Sequence, residues 1–441
     1  MGIPCIVVAG THSGCGKTTI ACGLMAAFTA RNYKVQPFKV GPDFIDPTHH
    51  TMICGRPSRN LDPYMMGEDG VRDTFARACK GADIAIIEGV MGMYDGLEGT
   101  DTCSTAHVAR ILGAPVLLVV DAGGMSRSAN ALVKGYSEFD GRINMAGVIF
   151  NRVGSERHRR MIEASLGARA LGWIPRSQDL KVSDRHLGLR MAGEDGSMKN
   201  AGKAIEEHCD IEGIAELANT SALRVDDVPE ERHTERDVTI GVAMDEAFCF
   251  YYRDNLDRLA RNEAGLDFFS PITDRLPDVD AVYLGGGYPE LHAEKLALSG
   301  CRDDIRKAAD DGMPIYAECG GLMYLTKGIS CDKEYPMAGI FPARSVMTKR
   351  LQALSYIDAR SVCDNGVLER GLAIKGHEFH YSMVECDGDA RFSLELSRGK
   401  GISNGMDGMY AHNSIGCYTH AYFTDELAKS LVNAGHRYKK S

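Results

Sequence analysis

Three glycine-bearing stretches hold the residue types that chemistry needs. In AGTHSGCGKTT (9–19), Thr11, Gly14 and Gly16 lead into Lys17, Thr18 and Thr19. Glycines there let backbone N–H groups close on phosphate oxygens, Lys17 supplies charge, and the Thr18 hydroxyl can hold Mg²⁺. The first partner inferred is therefore a nucleotide. In LGGGYPELH (284–292), Gly285, Gly286 and Gly287 leave N–H groups to point at an oxyanion. In YAECGGLMYL (316–325), Cys319 stands before Gly320, as a nucleophile does when the following amide faces the developing charge. A buried structural cysteine is the alternative. A thiolate nucleophile needs a base, and the candidates are His377 and His380 in KGHEFHYS and His420 in SIGCYTHAYF. His420 ends a short alternating run, which suits presentation at a sheet edge opposite Cys319.

Carboxylates and a second lysine follow the first loop. KVGPDFIDPTHH (39–50) carries Lys39, Asp43 and Asp46, and its prolines and Gly41 predict a loop at a strand's end. A doubly wound sheet binds its ligands there. The run ADIAIIEGV (82–90) brings Glu88 to the end of a buried strand, where an acidic residue meets Mg²⁺. Asp95 sits on the glycine-flanked loop GMYDG. For both Glu88 and Asp95 the alternative is a turn or cap. His49 and His50 lack a matching ligand cluster and are expected to be loop histidines. Trp173 is expected to pack, and Arg157–Arg160 to form a solvated helix face.

These residues need elements to position them. Apolar runs predict strands at 3–8, 34–40, 82–90, 115–121, 145–151 and 171–175. Helical spacing appears at 20–30, 105–112 and 128–137. Alternating strands and helices imply a mostly parallel, doubly wound α/β sheet covered on both faces. The charged stretch 221–237, SALRVDDVPEERHTERD, reads as a linker. The pattern then restarts with a strand at 238–243 and a helix near 250–262. Residues 1–220 and 238–441 are thus expected to be separate α/β domains.

The 441-residue length suits two or three domains. No apolar run approaches the roughly 20 residues of a membrane span, and the chain enters a strand at once, so a cytoplasmic protein is expected. The 14 cysteines are scattered with no C-x-x-C pair, as in a reducing compartment. A net charge of −10 argues against general nucleic-acid binding.

AGTHSGCGKTT, KVGPDFIDP, IEGVMGMYDG, LGGGYPELH, YAECGGLMYL and GHEFHYS, in this order, resemble the cobyrinate a,c-diamide synthases, whose close relatives amidate Ni-sirohydrochlorin in methanogens. The resemblance spans nearly the whole chain. The first loop, with Thr11 where the common pattern has its first glycine, is similar to that of dethiobiotin synthetase. ATPases that partition DNA have a lysine where this chain has His12.

The resemblance implies an N-terminal P-loop synthetase domain joined to a class I glutamine amidotransferase domain. It implies that Cys319 attacks the amide of L-glutamine, with His420 as base and the Gly285, Gly286, Gly287 and Gly320 amides as oxyanion hole. Ammonia would pass to the synthetase, where ATP phosphorylates a carboxylate of a tetrapyrrole. Lys17 and Lys39 would neutralise the phosphoryl group, and Thr18, Asp46 and Glu88 would hold Mg²⁺. Asp43, Asp46 and Asp95 would coordinate metal or position carboxylate and ammonia. Class I glutaminases often carry a glutamate two residues after the catalytic histidine, but here that residue is Tyr422. A less firmly held imidazole is expected. A cobyric acid synthase-like reaction is the nearest rival. A P-loop switch ATPase with a non-catalytic C-terminal binding domain is the rival of a different class. Arg152, Arg176 and Arg185 are candidates for substrate carboxylates or plain surface charge, and a homodimer stays open.

Overall fold

A computed structural model describes residues 3–177, 197–221 and 237–441. The chain divides into two compact units, Met1–Pro229 and Glu230–Ser441. The expected linker falls almost wholly outside the described residues, as does Arg185.

The first unit is built on strands β1 (Cys5–Gly10), β2 (Val35–Val40), β3 (Arg59–Leu61), β4 (Ile84–Glu88), β5 (Val116–Asp121), β6 (Met145–Val153) and β7 (Ala170–Pro175). They form one sheet in the order β3-β2-β4-β1-β5-β6-β7, parallel throughout. Its central strands are apolar without alternation because both faces are covered. Cys5, Val7 and Ala9 of β1 enter one core and Ile6 and Val8 the other. In β5, Val116, Leu118 and Val120 face the first and Leu117 and Val119 the second. The strands expected here form within a few residues of their expected bounds. Helix α1 runs from Lys17 to Ala30 directly after the P-loop.

One stretch departs from expectation. Residues 41–50 are a loop only as far as Ile45, and helix α2 spans Asp46–Cys54. Pro47 lies in its first turn, where the missing N–H would have had no helical partner in any case. His49 and His50 are therefore buried helix residues and not loop histidines.

The second unit holds β8 (Val238–Ala243), β9 (Ala264–Phe269), β10 (Ala281–Leu284), β11 (Ile315–Glu318), β12 (Gly328–Ser330), β13 (Glu334–Pro336), β14 (Ala343–Met347), β15 (Ala353–Ser361), β16 (Ala373–His380), β17 (Ser382–Cys386), β18 (Phe392–Arg398), β19 (Met406–Ala411), β20 (Ser414–Cys417) and β21 (His420–Tyr422). Ten strands make a mixed sheet, β21-β16-β15-β18-β19-β20-β11-β10-β8-β9, and β13-β12-β14-β17 a smaller one. The strands from β20 to β9 in that order are parallel. Val282, Leu284, Ile315 and Ala317 face one core, while Ala281, Tyr283 and Tyr316 face the other. His420 opens β21 rather than ending the alternating run, which stops at Cys417. The break comes at Tyr418 and Thr419, whose amides both donate to buried Asp407 at 3.0 Å. Trp173 stacks on Phe150 with ring centroids 4.7 Å apart. Arg159 and Arg160 pair with Glu163 and Glu156 along an exposed helix face.

Candidate active site

Both candidate centres lie where parallel strands end. In the first unit, β1 gives way to the loop 11–16 and then α1. Gly14 and Gly16 have φ of 82° and 102°, the left-handed region that side chains avoid. A Cβ on Gly16 would stand 2.1 Å from Asn151 Nδ2, which itself donates to the Cys15 carbonyl at 2.9 Å. Asn151 thus braces the loop from the end of β6. Arg152 also serves the loop, pairing with Asp121 and donating to the Gly14 carbonyl at 3.0 Å, while Arg176 is exposed. Thr11 donates its amide to Val119 and its carbonyl accepts from the Tyr136 hydroxyl. Thr19 is half-buried on the first turn of α1.

Five charged or polar side chains meet under this loop. The Thr18 hydroxyl donates to Glu88 Oε1 at 2.6 Å. Lys39 Nζ reaches Glu88 Oε1 at 2.9 Å and Asp46 Oδ2 at 2.7 Å. His50 Nε2 meets Glu88 Oε2 at 2.7 Å, and its Nδ1 lies 3.3 Å from Ser58 Oγ. Lys39, Asp46, His50 and Glu88 are all buried. Burial alone would lower the Lys39 pKa, but the Glu88 and Asp46 carboxylates more than offset it and hold the ammonium charged. Burial and Asp46 would raise Glu88, yet Lys39 and His50 keep it below the usual carboxylate range. Lys17 donates to the Met91 carbonyl at 2.6 Å, its pKa lowered first by burial.

The remaining carboxylates do local work. Asp43 Oδ1 accepts from the Ile45 amide at 2.7 Å and turns the chain into α2. Asp95 Oδ2 accepts from the Gly92 amide at 2.9 Å within the glycine-flanked turn.

The donor chemistry suits Mg²⁺. Thr18 and Glu88 offer hard oxygens, and Mg²⁺ is commonly held by one or two carboxylates plus substrate phosphates. Among the described residues no three His, Cys, Asp or Glu side chains form a cage of their own.

In the second unit, Cys319 joins β11 to the helix Gly320–Leu325 with φ 45° and ψ −94°, a strained strand-to-helix turn. Its amide donates to the Cys417 carbonyl at 2.7 Å. Close approach requires the glycines around it. A Cβ on Gly321 would meet the Leu284 carbonyl at 2.5 Å, one on Gly320 would come within 3.1 Å of the Gly287 nitrogen, and one on Gly286 within 2.3 Å of His420 Cε1. The glycine run, the elbow and His420 therefore converge. Gly285 is a correction: its N–H donates to the Tyr251 hydroxyl at 2.7 Å and its carbonyl accepts from Gly321. Its N–H and its carbonyl are thus both engaged within the fold and do not face an oxyanion.

His380 is engaged elsewhere, with Nδ1 on the Ser382 carbonyl at 2.8 Å and its ring stacked on Tyr418. His377 lies opposite His420 across β16 and β21. Burial, then Glu290 and Glu318, raises the Cys319 thiol pKa, and burial, then His377 and His380, lowers that of His420. Both shifts favour the neutral form of each group. Tyr422 lies under the Arg258 guanidinium, 5.3 Å from its ring centroid.

Several supporting residues carry no motif. His50, Asn151 and Asp407 act through hydrogen bonds to residues distant in sequence. Glu318 is buried, its pKa raised to about 8 by burial, and it accepts from the Ala421 amide at 3.1 Å. Its place next to Cys319 was the only signal.

Family models match at residues 6–189, described as a CobQ/CobB/MinD/ParA nucleotide binding domain, and at 239–428, a CobB/CobQ-like glutamine amidotransferase domain. A "Cobyrinate a,c-diamide synthase" of Methanosarcina barkeri is 43% identical, covering 100% of this chain and 97% of the relative. One from Methanothermobacter thermautotrophicus is 44% identical over 95% of this chain and 96% of its own. One from Archaeoglobus fulgidus is 43% identical over 98% and 97%. No helix among the described residues is long and apolar enough to cross a membrane.

Proposed function

The chain belongs to the cobyrinate a,c-diamide synthase family, and from that premise we propose that it amidates the a and c acetates of a cobyrinate-type tetrapyrrole or of Ni-sirohydrochlorin, with ATP and glutamine. As a member of that family it is a glutamine-dependent, ATP-driven ligase that forms amide bonds. We assign residues 1–220 to the synthetase, 238–441 to the glutaminase and 221–237 to the linker between them.

In the synthetase the loop amides at Gly14 and Gly16 hold the ATP phosphates, and a substrate carboxylate oxygen attacks the γ-phosphorus. ADP leaves and an acyl phosphate remains. Lys17 and Lys39 neutralise the transferring group, since charge balance and alignment supply most of phosphoryl-transfer catalysis. Thr18 and Glu88, with Asp46 near, would hold Mg²⁺, which when bound would add charge neutralisation at the phosphates. Besides closing their own turns, Asp43 and Asp95 are proposed to position the carboxylate and ammonia. Ammonia adds to the acyl carbon, phosphate leaves with the electron pair of the broken C–O bond, and the amide loses its extra proton.

In the glutaminase the Cys319 sulfur attacks the glutamine side-chain carbonyl as His420 takes the thiol proton. The Gly286, Gly287 and Gly320 amides stabilise the oxyanion. His420 then protonates the departing ammonia, and water releases glutamate from the thioester.

The observation that carries this reading is the buried Lys39–Glu88–Thr18 cluster beneath a P-loop, in a chain whose Cys319 turn packs its Gly320 against Gly287 while His420 closes on Gly286. The test is to offer cobyrinate and Ni-sirohydrochlorin separately with ATP, Mg²⁺ and glutamine. Two successive acid-to-amide conversions by mass spectrometry are expected for one of them. ATP hydrolysis with neither substrate amidated would favour the switch ATPase.

His50 gives a further expectation. Partners that orient a metal-binding carboxylate typically matter by about 10–100-fold. His50→Ala is therefore expected to raise the Mg²⁺ needed for half-maximal amidation by about that factor, with the glutaminase rate unmoved. An unchanged Mg²⁺ requirement would make His50 a packing residue only.

A further inference from the structure

The glutaminase half lacks the carboxylate that commonly fixes a catalytic histidine, since Tyr422 occupies its place. Something else must set the plane of the His420 ring. Three observations identify it. His377 and His420 are directly opposed partners on the antiparallel strands β16 and β21. Such pairs project from one face with Cβ atoms about 4.5–5.5 Å apart. Their rings stack, with centroids 4.9 Å apart and planes inclined by 19°. The His377 ring is itself fixed, because its Nδ1 lies 2.8 Å from the Tyr252 hydroxyl, and both residues are buried.

The opposite limit of the slot is Gly286, where a Cβ would stand 2.3 Å from His420 Cε1. The base is thus wedged between a glycine of the oxyanion run and an anchored imidazole. We propose that His377 is the positioning residue for His420, holding its ring for proton transfer from Cys319 in place of a third, acidic triad member. The proposal rests on the glutaminase reading of Cys319 and His420.

The chemistry of the neighbour fits this role. Burial lowers the His377 pKa to about 3, with Glu378 opposing, so the ring stays neutral through the working range. A neutral stacked ring orients the base without charging it. His377 is poorly placed to be the base itself, because the Gly286 contact belongs to His420.

Misplacing a reacting group by about 1 Å can cost about 10²-fold in rate. The test is steady-state glutaminase kinetics of the full chain with wild type, His377→Ala and His377→Phe, run beside amidation driven by ammonium salts. His377→Ala is expected to lower kcat for glutamine about 10–100-fold with KM held within about twofold. Ammonium-driven amidation should be unchanged, and His377→Phe, which keeps a flat ring in the slot but not its bond to the Tyr252 hydroxyl, should recover part of the lost kcat. An unmoved kcat in His377→Ala, an equal loss of ammonium-driven amidation, or a Phe variant no better than Ala would each overturn the proposal. If His377→Ala fails to fold, Tyr252→Phe carries the test. A fall in kcat with unchanged KM supports the anchor, and wild-type kinetics overturn it. Absence of glutaminase activity in wild type would instead overturn the site reading beneath it.

Discussion

Glu88→Gln is expected to lower amidation by at least about 10²–10³-fold, whether glutamine or an ammonium salt supplies nitrogen, while glutamine hydrolysis continues. The substitution is nearly isosteric and changes one thing, the charge. Glu88 is the point where Thr18, Lys39 and His50 converge, at 2.6, 2.9 and 2.7 Å. Without its charge the hydroxyl–carboxylate pair for Mg²⁺ is gone, and Lys39 swings its full attraction to Asp46, 2.7 Å away. Breaking a buried ion pair typically destabilises by about 3–5 kcal/mol, but Asp46 still faces Lys39 and limits the cost. Retained glutaminase activity and a measured melting curve separate lost chemistry from lost fold. Normal diamide formation in Glu88→Gln would remove Glu88 from the metal and phosphoryl site.

Cys319→Ala has the opposite signature. Glutamine hydrolysis is expected to fall to background, since deleting the nucleophile of such a unit can cost about 10⁶-fold. Amidation from ammonium salts should continue at the wild-type rate. Alanine keeps the Cβ at the strained φ of 45° and removes only the sulfur, so the elbow keeps its shape. Burial raises the Cys319 thiol pKa and so favours the neutral form, and the variant is expected to remove the sulfur with little change of charge. Unmoved glutaminase activity would make Cys319 a structural cysteine. A wild-type chain without glutaminase activity would revive the binding-module reading of residues 238–441.

Motifs with local chemistry were legible before any coordinates. The glycines around Lys17 and around Cys319 answer to backbone geometry, which neighbouring residues declare. Buried strands such as 84–88 and 116–121 were equally plain, because a parallel sheet covered on both faces writes continuous apolar runs. Supporting contacts were not legible. His50 acts through Glu88, 38 residues on, and its helix was missed because Pro47 reads as a breaker unless it falls in the first turn. Gly285 shares its sequence context with Gly286, and only the Tyr251 hydroxyl, 34 residues away, separates their roles. The expectation of a loosely held base followed from Tyr422 alone. It left out His377, which sheet register brings opposite His420 across 43 residues of sequence, from number 377 to number 420.

ATP is expected to activate a tetrapyrrole carboxylate as an acyl phosphate before ammonia arrives. Substrate whose acetate oxygens carry heavy oxygen, turned over with ATP, Mg²⁺ and ammonium, tests it directly. Each amide formed is expected to deliver one labelled oxygen into inorganic phosphate. Label recovered in AMP, or amide formed with unlabelled phosphate, would contradict it.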